Sequence, residues 1–407
     1  MEKKDKNLNV PNLRFPEFSG EWEKSELHKV ASLSKGTGIS KEQLSEEGLP
    51  CILYGELYTK YRSEVINEII SKTNLEPKKL VKSQTNDVII PCSGETSIDI
   101  ATARCVKQSD VLLGGDLNII RLKGEHDGAF FAFQLNGKRK YDIARVAQGV
   151  SVVHLYGEHL KRVKVNYPSI TEQKKISSLL TLVDQRIETQ KKIIEDLKKL
   201  KDAINNSLHN NINEFQLFSF NELGNDYSGL TGKSSDDFGS GLPYISYLNV
   251  FRNDIVTDGP FDCVKVSKTE KQNVVSYGDL LFTLSSETPS EVGIGAIYLG
   301  KTNPIYLNSF CFGVHLSNHE NIYGPYLAYF VTSQYFRRTI LPFAQGSTRY
   351  NLMKGDFMKH KFRFPAMAMQ KEIYNALYTL SEKIRNEETC LNKYAKLKQY
   401  LLTQMFI

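Results

Sequence analysis

The sequence predicts an α+β fold in which two mixed α/β domains, in a pseudo-twofold arrangement, are joined by an antiparallel two-helix coiled coil. Two observations predict this fold. Segments of the first half of the chain recur about 197 residues later in the second half. In both copies the recurring segments lead into a long helical pattern whose apolar residues repeat about every 3.5 residues.

The repeat is visible at three places in each half. It pairs Gly48-Leu49-Pro50 with Gly241-Leu242-Pro243, Ala147-Gln148-Gly149 with Ala344-Gln345-Gly346, and Pro168…Gln173…Ile176 with Pro365…Gln370…Ile373. A repeat of this length is too large for a solenoid unit. The sequence therefore predicts two related domains, 1–168 and 211–364, each followed by a helix, 169–210 and 365–407.

Both domains are predicted to be mixed α/β. Strand-like apolar runs at Asp87–Ile90 and Leu117–Leu122 lie between turns that contain glycine and serine, and Gly128–Leu135 has a helical pattern. The second half repeats the first of these strands as Asp279-Leu280-Leu281. The two domains are therefore expected to share one plan.

The two long helices carry matching seams, in which steps of four and three residues alternate. The seam positions are Ile176, Leu180, Val183, Ile187, Gln190, Ile194, Leu197, Lys201, Ile204 and Leu208 in the first helix, and Ile373, Leu377, Leu380, Ile384, Glu387, Leu391, Tyr394, Lys398, Leu401 and Met405 in the second. So narrow a seam favours pairing of the two helices over the alternative that each packs only on its own domain.

The order of the segments sets the direction of the helices. The second domain begins almost directly after the first helix, so two helices related by a pseudo-twofold axis must run antiparallel. Each is expected to span roughly 50 Å. Pro168 marks the start of the first helix, and Ser169 with Glu172 predicts a capping box there.

Composition describes an ordinary globular protein with a mildly basic balance. The 407 residues carry a formal net charge of +6, which is compatible with a nucleic-acid surface. The six cysteines never occur at C-x-x-C spacing, so no metal site is predicted. The first residues lack an apolar core for export and no apolar run approaches membrane-spanning length. The prediction is a cytoplasmic protein with no membrane association.

Catalytic signatures are missing from the sequence. A DNA amino-methyltransferase grips its flipped base with an (Asn/Asp)-Pro-Pro-aromatic turn, but no two prolines are adjacent in this chain. Gly232-Lys233-Ser234 resembles the end of a phosphate-binding loop, yet Tyr227 occupies the position of the required upstream glycine. No H-E-x-x-H or G-x-S-x-G motif is present. The chain is therefore predicted to be non-catalytic and to hold no cofactor.

Three repeated features are candidates for contact with DNA. Glycine beside small hydroxyl residues exposes backbone N–H groups that can hold phosphate oxygens, in the segments with Gln148, Gly149 and Ser151 and with Gln345, Gly346 and Thr348. Polar residues after a strand can reach base edges, at Ser93, Glu95 and Thr96 and at Ser285, Glu287 and Thr288. Basic and aromatic residues are interleaved at Tyr54, Tyr58, Lys60, Arg62, Lys138, Arg139 and Arg145, and at Tyr247, Asn249, Arg252, Arg337, Arg338 and Arg349.

Each feature has a structural alternative. The glycine segment is equally explained by a turn that folding requires, the second feature by a capped turn, and any single arginine or lysine by a solvated surface. The two halves differ most at 53–86 and 246–278. If these stretches read bases, the DNA target is asymmetric and split into two half-sites.

These residues resemble the specificity subunit of type I restriction-modification enzymes. The resemblance rests on the doubled Pro-x-x-x-x-Gln-x-x-Ile helix start, the doubled Gly-Leu-Pro and Gln-Gly-x-(Ser/Thr) segments, and the opening Leu13-Arg14-Phe15-Pro16-Glu17-Phe18 with Trp22. It covers essentially the whole chain. It implies a non-catalytic reader of double-stranded DNA with two target recognition domains, one for each half of a bipartite site.

The resemblance also implies partners. Two modification (methyltransferase) subunits would dock on the helices and supply S-adenosylmethionine binding, and two restriction subunits would add translocation driven by ATP and Mg²⁺. The helix residues assigned to docking are Gln173, Ile176, Leu180, Ile187, Ile194, Gln370, Ile373, Leu377, Ile384 and Leu391. Two alternatives stay open: a self-sufficient DNA-modifying enzyme with an unfamiliar site, and a helical protein scaffold whose domains bind peptides.

Overall fold

In the computed structural model, which describes residues 9–149, 152–210, 212, 214–317 and 320–407, the chain divides into two units. The first unit contains the chain up to Ile193 together with Glu387–Ile407, and the second contains Ile194–Asn386. Each unit therefore takes in one part of each long helix.

The first unit is built on two five-stranded sheets. Its strands are β1 (Glu23–Glu26), β2 (Ala31–Lys35), β3 (Leu44–Ser45), β4 (Leu49–Ile52), β5 (Val65–Ile66), β6 (Ser71–Thr73), β7 (Val81–Lys82), β8 (Asp87–Pro91), β9 (Ser93–Gly94), β10 (Arg104–Val106), β11 (Leu112–Leu113), β12 (Leu117–Leu122), β13 (Val153–His154) and β14 (Lys164–Tyr167). The helices are α1 (Leu27–Val30), α2 (Glu56–Thr59), α3 (Ser97–Ile100), α4 (Gly128–Asn136), α5 (Lys140–Val146), α6 (Gly157–Leu160) and the long α7 (Ile170–Asn210). The central sheet has the order β2-β12-β8-β10-β5 and the second sheet the order β3-β6-β4-β11-β7, while β1 pairs with β14 and β9 with β13.

Alternation along β8 shows why this strand is central. Val88 and Ile90 belong to the core that contains the phenylalanines of α4 and the first turns of α7. Ile89, on the opposite face, packs with residues of the second sheet. Because successive side chains of a strand point to opposite faces, an entirely apolar strand is buried on both sides. The predicted strands and the predicted helix at 128–135 are therefore confirmed.

The second unit repeats this plan. Its strands are β15 (Gln216–Ser219), β16 (Gly224–Ser228), β17 (Phe238–Ile245), β18 (Ile255–Val256), β19 (Asp262–Val264), β20 (Leu280–Thr283), β21 (Ser285–Ser286), β22 (Gly295–Tyr298), β23 (Tyr306–Leu307), β24 (Cys311–Leu316), β25 (Ala344–Gln345), β26 (Tyr350–Leu352) and β27 (Lys361–Phe364). The helices are α8 (Phe220–Leu223), α9 (Tyr247–Arg252), α10 (Leu327–Phe330), α11 (Gln334–Ile340), α12 (Lys354–Lys359) and the long α13 (Met367–Gln404). The central order β16-β24-β20-β22-β18 matches that of the first unit strand for strand.

The two long helices pack antiparallel within both units. In the first unit Gln190 of α7 donates a hydrogen bond to the Glu387 carboxylate of α13 at 2.5 Å, and Asp184 of α7 is paired with Lys398 of α13. In the second unit Ile204 and Leu208, near the end of α7, contact the core that holds the first turns of α13. The predicted fold class, two mixed α/β domains with an antiparallel helix pair, is confirmed.

The polar seam positions are explained by contacts with the globular parts. Lys398 lies 2.5 Å from Glu64 and 2.6 Å from Asp184, with its Nζ 5.9 Å from the ring centre of Phe133. Lys201 pairs in the same way with Asp254, and its Nζ is 5.6 Å from the ring centre of Tyr329. Glu64 and Asp254 each precede an edge strand of the central sheet, β5 or β18. A seam lysine thus fixes each sheet to the helix pair.

The charges around Lys398 are buried and strongly coupled. Burial by itself raises the pKa of Glu64, but Lys398, the hydrogen bond with Asp184 and the charge of Arg104 together lower that pKa to about 2. Burial raises the pKa of Asp184 to about 7, aided by its hydrogen bond to Glu64. The two carboxyl groups therefore share a proton near neutral pH. Arg104, whose pKa is lowered by burial, is the other cation that faces them.

Stability of the first unit is expected to fall as the pH rises from 5 to 8. The folded state holds a proton on Asp184 up to about pH 7, whereas the unfolded chain releases it near pH 4. The protonated group stabilises the fold at low pH, and about 3 kcal/mol of this stabilisation is lost as the pH rises from 5 through 7. Urea unfolding followed by the fluorescence of Trp22, the single tryptophan, measures this loss. Asp184→Asn should flatten the dependence, and equal slopes in both proteins would contradict the assignment to Asp184.

The predicted capping box at the start of α7 is wrong. The Glu172 carboxylate accepts hydrogen bonds from Arg14 at 2.7 and 2.8 Å and from Trp22 at 3.3 Å, so it does not bond to the backbone of Ser169. The charge of Arg14 and the burial of Glu172 make this ion pair the stronger use of the carboxylate. Glu172 therefore fastens the opening segment of the chain to the helix.

Candidate nucleic-acid interface

Two of the three predicted features lie side by side in both units. In the first unit β9, which contains Ser93, pairs antiparallel with β13, which ends the glycine segment. In the second unit β21, which contains Ser285, pairs with β26 in the same way. The hydrogen-bond register makes Ser93 equivalent to Ser285 and His154 equivalent to Asn351. In each unit the hairpin strand and the polar turn after the central strand therefore lie side by side. We call this pair of segments, β9 with β13 or β21 with β26, the tip of the unit.

Both hairpins require glycine at their turn. Gly149 and Gly346 have φ values of +128° and +150°, a region that side chains rarely adopt. A Cβ on either residue would lie 2.0 Å from the carbonyl oxygen of the residue three positions later, Val152 or Arg349. The backbone is closed by hydrogen bonds in which Gln148 and His154 exchange N–H and C=O groups at 2.7 and 2.9 Å. The repeated glycine thus fixes the shape of the tip.

Gly346→Ala is expected to weaken DNA binding at least tenfold while the fold persists. The added methyl group cannot fit beside the Arg349 carbonyl, so the hairpin must open, at a local cost of about 1–3 kcal/mol. Fluorescence anisotropy with a duplex that contains the target site measures the effect. Gly355→Ala is the matched control, because a Cβ there meets open space on the short helix α12. Equal affinities of the two variants would show that the hairpin does not contact DNA.

An open groove of about 1660 Å³ lies beside the tip of the first unit. Among its lining residues are Tyr54, Tyr58, Lys60, Ser93 and Glu95, which the sequence assigns to DNA contact. The Tyr58 hydroxyl donates to the backbone carbonyl of Ser93 at 3.1 Å, and burial raises the pKa of this phenol. Two of the predicted segments, 54–60 and 93–95, therefore meet in one concave surface.

Equivalent residues line the tip of the second unit. Asn249 accepts hydrogen bonds from the backbone and hydroxyl of Ser246 at 2.9 and 2.7 Å, as Glu56 accepts from the Leu53 backbone at 2.9 Å. This match makes Tyr247 the counterpart of Tyr54. The Tyr247 pKa is raised by burial, although hydrogen bonds to side chains near β21 oppose the shift.

Several predicted DNA contacts are corrected because their polar groups are used inside the fold. Arg337 donates to three backbone carbonyls, those of Gly293, Ser290 and Val292, and burial lowers its pKa to about 10. Arg139 donates to the carbonyl oxygen of Ile407 at 2.9 Å. Both arginines hold backbone in place, and neither guanidinium is free to bind a phosphate.

Three further residues predicted to contact DNA form contacts with neighbouring residues of the chain instead. Lys60 is paired with Glu56 at 2.7 Å although it lines the groove. Thr96 caps α3 by accepting from the backbone of Asp99, and Asn249 closes the capping box of α9. Thr96 and Asn249 therefore use their hydrogen-bonding groups at helix ends, and the Lys60 ammonium is engaged by a carboxylate.

The remaining predicted residues are exposed or lie at the tips. They are Arg62, Lys138, Arg145, Gln148, Arg252, Glu287, Thr288, Arg338, Gln345, Thr348 and Arg349. Arg145 pairs with Asp142 at 3.7 Å but keeps most of its side chain in solvent. Lys138 lies in the turn between α4 and α5 and is not one of the residues that line the groove. Ser285 is buried, and Ser151 lies outside the described residues.

Sequence reasoning missed Asp116 and Phe310. Both directly precede a central strand, β12 or β24, and each accepts a backbone hydrogen bond from the residue before β9 or β21. They are thus equivalent positions at the tips. An alignment of the two copies of this strand would have revealed them, because the position before the strand is aspartate in the first copy and phenylalanine in the second.

The helix residues predicted to dock partners are mostly inside the chain. Gln173 donates to the Pro168 carbonyl at 2.8 Å and accepts from the Asp127 backbone at 3.1 Å, and Gln370 repeats both kinds of contact. The apolar members are buried, apart from the half-buried Leu391. These buried side chains pack inside their own unit and are not exposed to a partner. Large apolar side chains that are exposed on the helices are Leu182, Ile193, Leu200, Met369, Tyr378, Leu397 and Tyr400.

The described part of the chain contains neither a candidate metal site nor a candidate membrane-spanning helix. No group of three or more histidine, cysteine or carboxylate side chains there could hold a metal ion. Within the same residues, no helix combines the length and apolarity needed to cross a membrane.

Comparison with known proteins gives consistent matches over nearly the whole chain. A family model described as the type I restriction modification DNA specificity domain matches twice, at residues 19–199 and 205–395. The type I restriction enzyme MjaVIII specificity subunit of Methanocaldococcus jannaschii is 21% identical over 376 residues, which cover 84% of this chain and 83% of that protein.

Solved structures with the same fold cover the chain almost completely. The S subunit of a type I restriction-modification system from M. genitalium aligns over 98% of this chain and 99% of its own, with a TM-score of 0.61 and 16% identity. A chain from a study of complex assembly and conformational transition in the type I R-M system aligns over 95% and 97%, with a TM-score of 0.56 and 14% identity. The repeated architecture is therefore shared at low sequence identity.

Proposed function

Because this chain belongs to the family of type I restriction-modification DNA specificity subunits, we propose that its two recognition domains read the two halves of an asymmetric, bipartite DNA site. The observation that carries the proposal is the duplicated tip. Two equivalent hairpins, fixed by Gly149 and Gly346, stand beside equivalent polar turns on the same sheet frame. The backbone of the tip is the same in both units, but the exposed side chains on it differ. Such a pair of surfaces suits two DNA half-sites of similar shape and different sequence.

The side chains at the tips support an asymmetric target. At the equivalent positions before the central strand the first unit has Asp116 and the second has Phe310. At the end of the hairpin Val152 of the first unit corresponds to Arg349 of the second. Carboxylate, aromatic and guanidinium groups favour different base edges. The two half-sites are therefore proposed to have different sequences.

The antiparallel helices are proposed to set the unread spacer and to dock two modification subunits. The seam side chains of the helices are buried, so we assign docking to the exposed apolar residues on the same helices. Leu182, Leu397 and Tyr400 are examples, with exposed fractions of 63%, 43% and 55%. Exposed leucine and tyrosine on a helix otherwise occupied by charged residues are typical of protein interfaces. The functional division is proposed as recognition domains 1–168 and 211–364 and spacer helices 169–210 and 365–407.

The chain is proposed to carry out no chemistry itself. In this assignment the modification subunits bind S-adenosylmethionine and methylate adenine, and two restriction subunits supply ATP- and Mg²⁺-dependent translocation and cleavage. The contribution of this chain is the choice of sequence. Its mildly basic charge of +6 suits a DNA partner.

Reconstitution with the modification subunit tests the function. The complex should methylate adenines at one bipartite motif, which single-molecule sequencing of treated genomic DNA would identify. The purified chain alone, incubated with DNA and labelled S-adenosylmethionine, should transfer no methyl group. Methylation by the chain alone would favour a self-sufficient enzyme, and failure to bind any duplex at low salt would favour a protein scaffold.

A further inference from the structure

The Arg349 guanidinium lies over the ring of Phe310 at the tip of the second unit. The guanidinium carbon lies 4.9 Å from the centre of the Phe310 ring. Phe310 has an exposed fraction of 49%, and Arg349 is exposed as well. Among the described residues no carboxylate pairs with Arg349, and no hydrogen bond engages its side chain. An exposed aromatic ring with an unpaired arginine on its face is unlike an ordinary solvated surface charge.

The backbone that carries this pair is held firmly from both sides. The Phe310 carbonyl accepts from the backbone of Leu284 at 2.8 Å, and the Leu284 carbonyl accepts from Leu352 at 2.9 Å. The first hydrogen bond joins the residue before β24 to Leu284, which lies between β20 and β21. The second joins Leu284 to β26, the strand that follows Arg349. Because short backbone hydrogen bonds link the three segments, the backbone positions from which the ring and the guanidinium extend are fixed relative to each other.

The aromatic ring restricts how a ligand can approach the guanidinium. Because Phe310 covers one side of the planar group, the N–H donors of Arg349 are left for a partner that approaches from the solvent side. Those donors match the paired O6 and N7 acceptors of guanine in the major groove, which arginine binds with two parallel hydrogen bonds. A phosphate contact does not need such a restricted approach, since any approach of a positive charge to the backbone is favourable.

We propose that Arg349, held by Phe310, reads a guanine in the half-site recognised by the second unit. The first unit has no equivalent reader, because Val152 and Asp116 take these two positions. The inference rests on the proposed function and adds the identity of one base and the side chain that selects it. Phe310 is a positioning residue, and Arg349 is the specificity-determining one.

The test uses the reconstituted methyltransferase complex and the motif that the wild-type complex methylates. Duplexes are made with each base pair of the second half-site replaced in turn, and binding is measured at fixed salt. The wild-type complex should discriminate against replacement of one guanine by about tenfold to a hundredfold. Arg349→Ala should remove this discrimination at that position alone. Arg349→Lys, which keeps the charge but lacks the planar fork, should remove most of it as well.

A modified base separates base contact from phosphate contact. A duplex with 7-deazaguanine at that position lacks the N7 acceptor, so it should bind the wild-type complex several-fold more weakly and the Arg349→Ala complex no differently from guanine. Lys359→Ala is the control for loss of one exposed positive charge in the same unit. Phe310→Leu should reduce the discrimination without abolishing it, because the arginine is retained without its aromatic support.

Two outcomes would overturn the inference. Uniform weakening of all duplexes by Arg349→Ala, with unchanged base preferences, would identify a phosphate contact. A second half-site without guanine would exclude the reader outright. Both leave the proposed function intact, whereas a wild-type complex that methylates no bipartite motif would refute the function itself. Thermal unfolding of each variant confirms that the fold is retained.

Discussion

Deletion of one heptad from each long helix is expected to shorten the unread spacer of the DNA target by about three base pairs. Each deletion of seven residues removes about 10 Å of helix. Suitable segments are Ile187–Ile193 and Ile384–Cys390, which surround the hydrogen bond between Gln190 and Glu387. After both deletions the alternating steps of the seam continue without interruption, because a whole heptad is lost.

Mapping of methylated adenines before and after the deletion measures the spacer. The two half-sites should stay the same and only their separation should change, because neither tip is touched. Deletion of the heptad from α7 alone is the matched control. It makes α7 one heptad shorter than α13, so the seam contacts and the contacts with the globular parts cannot all form, and the variant should be destabilised and should not methylate at a new spacer. An unchanged spacer after the double deletion would reject the role of the helices as a ruler.

Replacement of Lys398 by methionine is expected to destabilise the first unit by about 3–5 kcal/mol. The lysine is the counter-charge for Glu64 and Asp184, whose side chains are only 8% and 4% exposed. Removing one partner of a buried ion pair leaves the others uncompensated in a medium that solvates charge poorly. The two carboxylates would repel each other, and one must take up a proton for the unit to fold.

The fluorescence of Trp22 gives a readout confined to the first unit, since this buried residue is the single tryptophan of the chain. Urea unfolding of Lys398→Met should show the loss at pH 8 and a smaller loss at pH 5, where a proton on Asp184 lowers the charge. Lys201→Met is the matched control. It removes the equivalent lysine, but from a single carboxylate, Asp254, in the second unit. A Trp22 transition shifted equally by both variants would contradict the assignment.

The sequence by itself determined the repeated plan of the molecule. The strand Asp87–Pro91 and its copy are apolar on both faces, the seams repeat with a helix period, and the order of segments left only antiparallel helices. All these features are set by neighbours a few residues apart, so their period can be read along the chain. Even the polar seam positions Lys201 and Lys398 occupy equivalent places in the two seams.

Only the tertiary structure decided what each polar side chain does. Arg337 and Arg349 look alike in the sequence, yet one is fixed by carbonyls of a segment more than forty residues away and the other stands free beside Phe310. Glu172 was likewise expected to cap the helix, but its carboxylate pairs with Arg14. Their partners are distant in the chain and are brought close by strand register and sheet order. A hydrogen bond or ion pair depends on atoms within a few ångströms, and local sequence contains no record of those distances.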